Sequence, residues 1–183
     1  VIWLTSDTHF GHDKEFIWKV RGFNSCKEMN EALIERWNER VKDEDYVWHL
    51  GDIMLGSPEN LEYFKRLRGH ICIILGNHDT NNRISLYNTL PNVIRSSWAE
   101  RQKWYGYHFY LSHFPTITSN LEKESLKQCT INLYGHTHQT TNFYYEMPFM
   151  YHVGVDSHNC APVSIEKIIC DMEQKVKECK DLL

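Results

Sequence analysis

The chain predicts an α/β fold, on three observations. In the first half, short apolar runs of strand length alternate with amphipathic stretches. In the second half, strand-like runs follow one another through short connections and end on one amphipathic stretch. No repeat, low-complexity tract or linker interrupts the 183 residues, a length that fits one domain over residues 1–183 able to bury its own core.

The elements follow in order. Val1–Thr5 reads as a first buried strand. Ser25-Cys26-Lys27-Glu28 fits a capping box, and the helix behind it carries Met29, Leu33, Trp37 and Val41 on one face. Tyr46–Leu50 is the next strand. Ser57-Pro58 reads as N-cap and first residue of a helix bearing Leu61, Phe64 and Leu67. Ile71–Leu75 is continuously apolar, as in a sheet covered on both faces. Val93–Trp98, Lys103–Tyr105, Tyr107–Ser112 and Ile131–Tyr134 read as strands, with Gly106 at a hairpin turn. Phe143–Tyr145 and Phe149–Val153 suggest a hairpin around Pro148. Ser164 is expected to cap a last helix with Ile165, Ile168, Ile169, Met172 and Val176 on one stripe. Helices should cover the outer faces of the sheets.

Composition narrows the function. A hydrophobic content of 42% is too high for a disordered chain. The longest apolar run, Ile71 to Leu75, is far short of the roughly 20 residues of a membrane span. Lys and Arg number 20 against 24 Asp and Glu, so no basic excess exists to neutralise phosphates. That disfavours nucleic acid and anionic membranes as general partners. Six cysteines at 26, 72, 129, 160, 170 and 179 form no C-x-x-C pair. They read as reduced thiols, Cys72 inside a strand and Cys170 near a buried helical stripe. With no signal-peptide core in Val1–Leu4, the expected compartment is the cytoplasm. Eleven histidines point to metal or acid–base chemistry.

The chemistry-bearing residues fall just after the strand-like runs. They are Ser6-Asp7-Thr8-His9, Gly51-Asp52, Gly76-Asn77-His78-Asp79, Ser112-His113 and Gly135-His136-Thr137-His138. Ligand sites in open α/β sheets lie beyond the carboxyl ends of strands, so these segments are expected to converge. Carboxylate, amide oxygen and imidazole suit divalent cations, and the lack of thiolates argues against a purely structural zinc site. Two cations ~3.5–4 Å apart acidify a shared water and clamp a phosphoryl group. Each block alone is an ordinary polar turn. Five in order, each behind a strand, are not.

The blocks D-x-H, G-D, G-N-H-[DE], H and G-H-x-H, running from Asp7 to His138, resemble those of the calcineurin-like metallophosphoesterase superfamily. The resemblance implies a four-layer α/β/β/α fold, a two-sheet β-sandwich flanked by helices. It implies one divalent metal on Asp7, His9, Asp52 and His138 and a second on Asp52, Asn77, His113 and His136, with Asp52 bridging. Manganese is the first expectation, with iron, zinc or nickel as alternatives. His78 would face the phosphate as acid or charge stabiliser, oriented by Asp79. The implied activity is hydrolysis of a small phosphate ester by a metal-bridging hydroxide, a diester ahead of a monoester and nucleotide-derived. The alternatives are a phosphomonoesterase, a protein phosphatase, and an inactive metal-binding interaction scaffold. Every ligand position and His78 being present favours an enzyme.

Thr5–His12, Arg21-Gly22-Phe23 and Val153-Gly154-Val155-Asp156 look like a small bacterial or phage subgroup of that superfamily, although His152-Val153-Gly154 stands where its members often have Asn-Pro-Gly. Of the remaining residues, His12 is a candidate to reach the substrate phosphate. Arg21 is a candidate to pair a phosphate oxygen, against a surface ion pair. Asp156 reads as a turn aspartate ahead of a partner for a ligand histidine. His49, His70, His108, His152 and His158 read as structural.

Overall fold

The computed structural model describes residues 1–118 and 125–181. Its first half runs β1 (Ile2–Thr5), α1 (Glu15–Trp18), α2 (Cys26–Arg40), β2 (Tyr46–His49), α3 (Leu61–Lys65), β3 (His70–Ile74), α4 (Asn81–Tyr87) and β4 (Val93–Ser97). Its second half runs β5 (Ala99–Trp104), β6 (Tyr107–Ser112), β7 (Thr130–Tyr134), β8 (Met150–His152), β9 (Val163–Ser164) and α5 (Ile165–Asp181).

Two mixed sheets result, flanked by helices. In the first, β1 to β4 lie parallel in the order β4-β3-β2-β1, and β9 closes the β1 edge antiparallel. The second, ordered β5-β6-β7-β8, joins a β5–β6 hairpin to parallel β7 and β8. Side chains alternate across the first sheet. Val47, Ile71 and Ile73 enter a core with Met29, Leu33 and Trp37 of α2 and Tyr87 of α4. Leu4, Trp48, Cys72 and Ile74 point the other way, into a core shared with Phe109, Leu111, Ile131, Leu133 and Tyr151 of the second sheet and Ile165, Ile168 and Met172 of α5. Strands buried on both faces need unbroken apolar runs, which is why β3 reads so plainly.

Caps and turns follow local chemistry. Ser25 accepts the Glu28 N–H, while the Glu28 carboxylate accepts from the backbone and side chain of Asn24, one residue earlier than a standard capping box. Ser164 Oγ accepts the Lys167 N–H. Tyr105 and Gly106, both at positive φ (52° and 81°), make the two-residue turn that keeps Trp104 paired with Tyr107.

Several expectations change. Phe143–Tyr145 does not form a hairpin strand: one bridge joins Phe143 to Tyr151, and Tyr144–Glu146 is a 3-10 turn. Ser57 makes no cap bond, because a 3-10 turn over Pro58–Asn60 precedes α3, which stops at Lys65. The strand expected at Lys103–Tyr105 begins four residues earlier, at Ala99. Helices α1 and α4, absent from the sequence reading, are four and seven residues long, too short to display a helical period. All six cysteines are free thiols, and Cys170 lies on the exposed side of α5 rather than near its stripe. Among the described residues, no helix is long and apolar enough to cross a membrane.

Candidate active site

The segments after β1, β2, β3, β6 and β7 meet at one end of the two sheets. Backbone hydrogen bonds carry the pairing past the strands: Asp7 N–H donates to Gly51 C=O, His9 to Asp52 and Phe10 to Ile53. A Ser6–Gly154 bridge ties the end of β1 to the segment after β8, and Gly135 N–H reaches the His113 carbonyl. At this rim Asp7, His9, Asp52, His136 and His138 all sit at positive φ, between 48° and 67°. Each costs on the order of 1 kcal/mol in an L-residue, and such strain concentrates at functional sites. The turn it makes folds the side chains back to a common point.

There, His9 Nε2 and His138 Nε2 face each other at 3.1 Å, with Asp7 Oδ1 3.9 and 4.0 Å away. Asp7 Oδ1 is buried with no hydrogen-bond partner among the described residues, while Oδ2 accepts from Ser6 Oγ at 2.5 Å and from the His136 N–H. On the other side, His113 Nε2 and His136 Nδ1 lie 3.2 Å apart and both lie 2.9 Å from Asn77 Oδ1. His113 Nδ1 lies 2.7 Å from the Leu50 carbonyl. Asp52 Oδ2 stands between the two groups, 3.8 Å from His9 Nε2 and 3.5 Å from His113 Nε2. Asp7, His9 and His138, and likewise Asp7, Asp52 and His113, bring one donor atom each within 4.8 Å of one another. Crowded imidazole nitrogens around an orphaned carboxylate oxygen form a nitrogen and oxygen donor set able to bind a divalent cation.

Electrostatics fit the crowding. Burial raises the Asp7 carboxyl, against the pull of His113 and His138. Burial, followed by His138 and Arg21, holds the His9 imidazole well below its usual value, so it stays neutral with a lone pair free.

A model of the calcineurin-like phosphoesterase superfamily domain matches residues 1–158. The chain belongs to that superfamily. It is therefore a hydrolase of phosphate esters, in a metal-dependent family. Its relatives include an uncharacterized protein, MJ1445, of Methanocaldococcus jannaschii, 32% identical over 92% of this chain and 89% of that one. The gene 66 protein of Mycobacterium phage D29 is 30% identical over 94% and 98%. In fold, the phosphoesterase is similar to AQ665, a protein of unknown function from Aquifex aeolicus (TM-score 0.67, 22% identity, 91% and 96% of the two chains).

Around the cluster, the phosphoesterase places the other candidates unevenly. His78 is half exposed, with Nε2 3.9 Å from Asp52 Oδ2. Asp79 does not orient it. Its carboxylate is buried and accepts from the N–H groups of Asp52, Gly76 and Ile53 and from Tyr87 Oη. Neighbours in sequence point apart, so the Asp79 carboxylate pins the Asp52 loop to the β3 loop. Burial raises its pKa, and those hydrogen bonds oppose the rise.

Arg21 departs from expectation as well. Its side chain is 2% exposed, and all five N–H donors have partners: Asp156 twice, the Asp7 and Thr8 carbonyls, and Met29 Sδ. None remains for a phosphate. Asp156 in turn accepts from His138 Nδ1 at 2.8 Å, so it is a partner of His138 and not a plain turn residue. Burial would raise the Asp156 carboxyl; the His138 hydrogen bond and Arg21 outweigh that and hold it well below the usual range. Burial alone would lower His138, but the Asp156 bond and Asp7 leave it raised. His12 does face the cluster, its ring 5.5 Å from that of His9. His49 is buried on Thr8 Oγ1. The roles of Ser6, which donates to Asp7, and Tyr87, which donates to Asp79, are not legible in the sequence, since a single Ser or Tyr in a turn or short helix carries no signal of its partner.

Proposed function

We propose that this phosphoesterase uses two divalent cations to hydrolyse a small phosphodiester, nucleotide-derived, in a reducing cytoplasm. The observation that carries the reading is the convergence of two donor groups on either side of Asp52 Oδ2. Asp7, His9, Asp52 and His138 would hold one cation, and Asp52, Asn77, His113 and His136 the other. Manganese comes first, with iron, zinc or nickel as alternatives. When bound, such a pair supplies positive charge for the phosphoryl oxygens and acidifies water for in-line attack.

The chain's own residues do the rest. The half-exposed His78 imidazole faces the cavity and donates to the leaving oxygen or to a phosphoryl oxygen on which charge develops. Asp156 holds the His138 ring through Nδ1, which leaves Nε2 aimed at the cluster. Arg21 braces Asp156 and the backbone of Asp7 and Thr8 in one contact set. Asp79 holds the loops of Asp52 and Gly76 together.

Metal analysis and turnover of nitrophenyl mono- and diesters under Mn, Ni and Zn test the reading. Asp52→Asn should lose bound metal and nearly all activity, because the bridging position loses its charge. His78→Ala should keep its metal and lose roughly 10²–10⁴ in turnover. Full metal content and normal rate in Asp52→Asn would remove Asp52 from the bridge. A fully loaded protein without turnover on any ester would make it a scaffold.

A further inference from the structure

The cavity beside the cluster has two unlike walls. One is polar: His9, His12, His78 and His138. The other is α1 and the turn after it, contributing Phe16, Ile17 and Val20. Phe16 is 66% exposed and Val20 77% exposed, large apolar side chains that the fold does not bury. Four rings lead from the cluster to that wall without a break. His138 stacks on His9 at 4.9 Å, His9 meets His12 at 5.5 Å, and His12 meets the Phe16 ring edge-on at 5.6 Å. The cavity is open to solvent on one side and its volume is about 310 Å³, at the small end of ligand pockets. Apolar side chains lining a cavity beside a few convergent polar groups are the usual make-up of a small-ligand site.

We propose that Phe16 and Val20 form a ledge for the flat, aromatic organic group of the ester, so that the enzyme selects aryl or nucleobase-bearing esters over alkyl ones. The proposal rests on the phosphoesterase reading of the neighbouring cluster. An aromatic occupant suits the ledge better than an alkyl one for two reasons. Phe16, although in edge contact with His12, is 66% exposed and keeps ring surface open for offset or edge-to-face stacking. The approach past His12 is itself lined by rings at stacking distance. Phe114 is the other exposed ring near the cluster, but it is packed edge-on against His113 and His136, outside this cavity's lining.

The test is calorimetric binding of two non-hydrolysable probes, methylphosphonate and phenylphosphonate, to the manganese-loaded protein. Phenylphosphonate should bind about tenfold tighter, the ~1.4 kcal/mol of one aromatic pair. Phe16→Ala should remove most of that ratio, and Val20→Ser part of it, while methylphosphonate affinity and metal content stay as in wild type. Equal affinity for the two probes in the wild type overturns the ledge alone. So does a ratio that survives Phe16→Ala, or one that vanishes in Phe114→Ala instead. Failure of both probes to bind the loaded protein overturns the ledge, and the turnover of nitrophenyl mono- and diesters described above then decides separately whether the phosphoesterase reading stands. If Phe16→Ala dissociates a dimer in sedimentation and leaves the ratio intact, the ledge is a contact between copies and the proposal fails.

Discussion

Removing Arg21 tests how the site is held. Arg21→Met keeps much of the aliphatic volume and deletes five donors. Asp156, 10% exposed at its side chain, would retain only His138 as a strong partner. The Asp7 and Thr8 carbonyls would lose their donors. Breaking a buried ion pair from one side costs about 3–5 kcal/mol. Each orphaned carbonyl adds ~1–3 kcal/mol where water cannot reach it. These costs overlap, because the space left by the guanidinium admits water to all three groups. The expected loss is therefore about 3–5 kcal/mol, a fall of roughly 10 °C in Tm. Urea unfolding of chelator-treated protein measures it without the contribution of bound metal. Arg21→Lys should fall between, because an ammonium cannot reproduce the forked geometry. Arg21→Met combined with Asp156→Leu should recover part of the loss, with a coupling of about 2 kcal/mol in the double-mutant cycle. An Arg21→Met protein within ~1 kcal/mol of wild type would refute the brace.

Two further outcomes are expected. A methyl at Gly135 would stand 2.2 Å from Ser6 Oγ and 2.5 Å from Asp7 Oδ2. Gly135→Ala should therefore cost ~1–3 kcal/mol and weaken metal binding, and a variant with wild-type Tm and metal content would show that the rim is not packed as described. Burial, with a smaller contribution from His113, pushes His49 down to about 3. Below pH ~6.5 the unfolded chain takes up a proton there that the folded chain refuses until pH about 3, so stability falls with pH across that window. At pH 5.5 this amounts to ~1.2 kcal/mol relative to neutral pH, which His49→Gln should remove from the wild-type slope; identical slopes in urea unfolding would contradict it.

The convergence of the polar blocks was legible because each follows a strand that is itself legible. β1, β2 and β3 are apolar runs, and a polar block directly behind each has one place to go, the carboxyl edge of the sheet. What failed was anything decided by orientation or by distant partners. Asp79 follows His78 by one residue, yet its carboxylate turns inward to Tyr87 of α4, a helix with too few residues to show a period. Arg21 and Asp156 are 135 residues apart, and no local pattern links a guanidinium in a loop to an aspartate in a turn. The hairpin expected at Phe143–Tyr145 failed for a related reason. Aromatic content suggests a strand, but Tyr145 adopts a positive φ that ends the pairing after one bridge.

The left-handed backbone at Asp7, His9, Asp52, His136 and His138 also acts as a filter on what the site can become. Aspartate, asparagine and histidine are the non-glycine residues that tolerate this conformation most readily, and all three are oxygen or nitrogen donors. A β-branched residue at these turns would pay a conformational cost before any question of metal affinity arose. The path of the main chain thus favours the compact oxygen and nitrogen donors that this site presents.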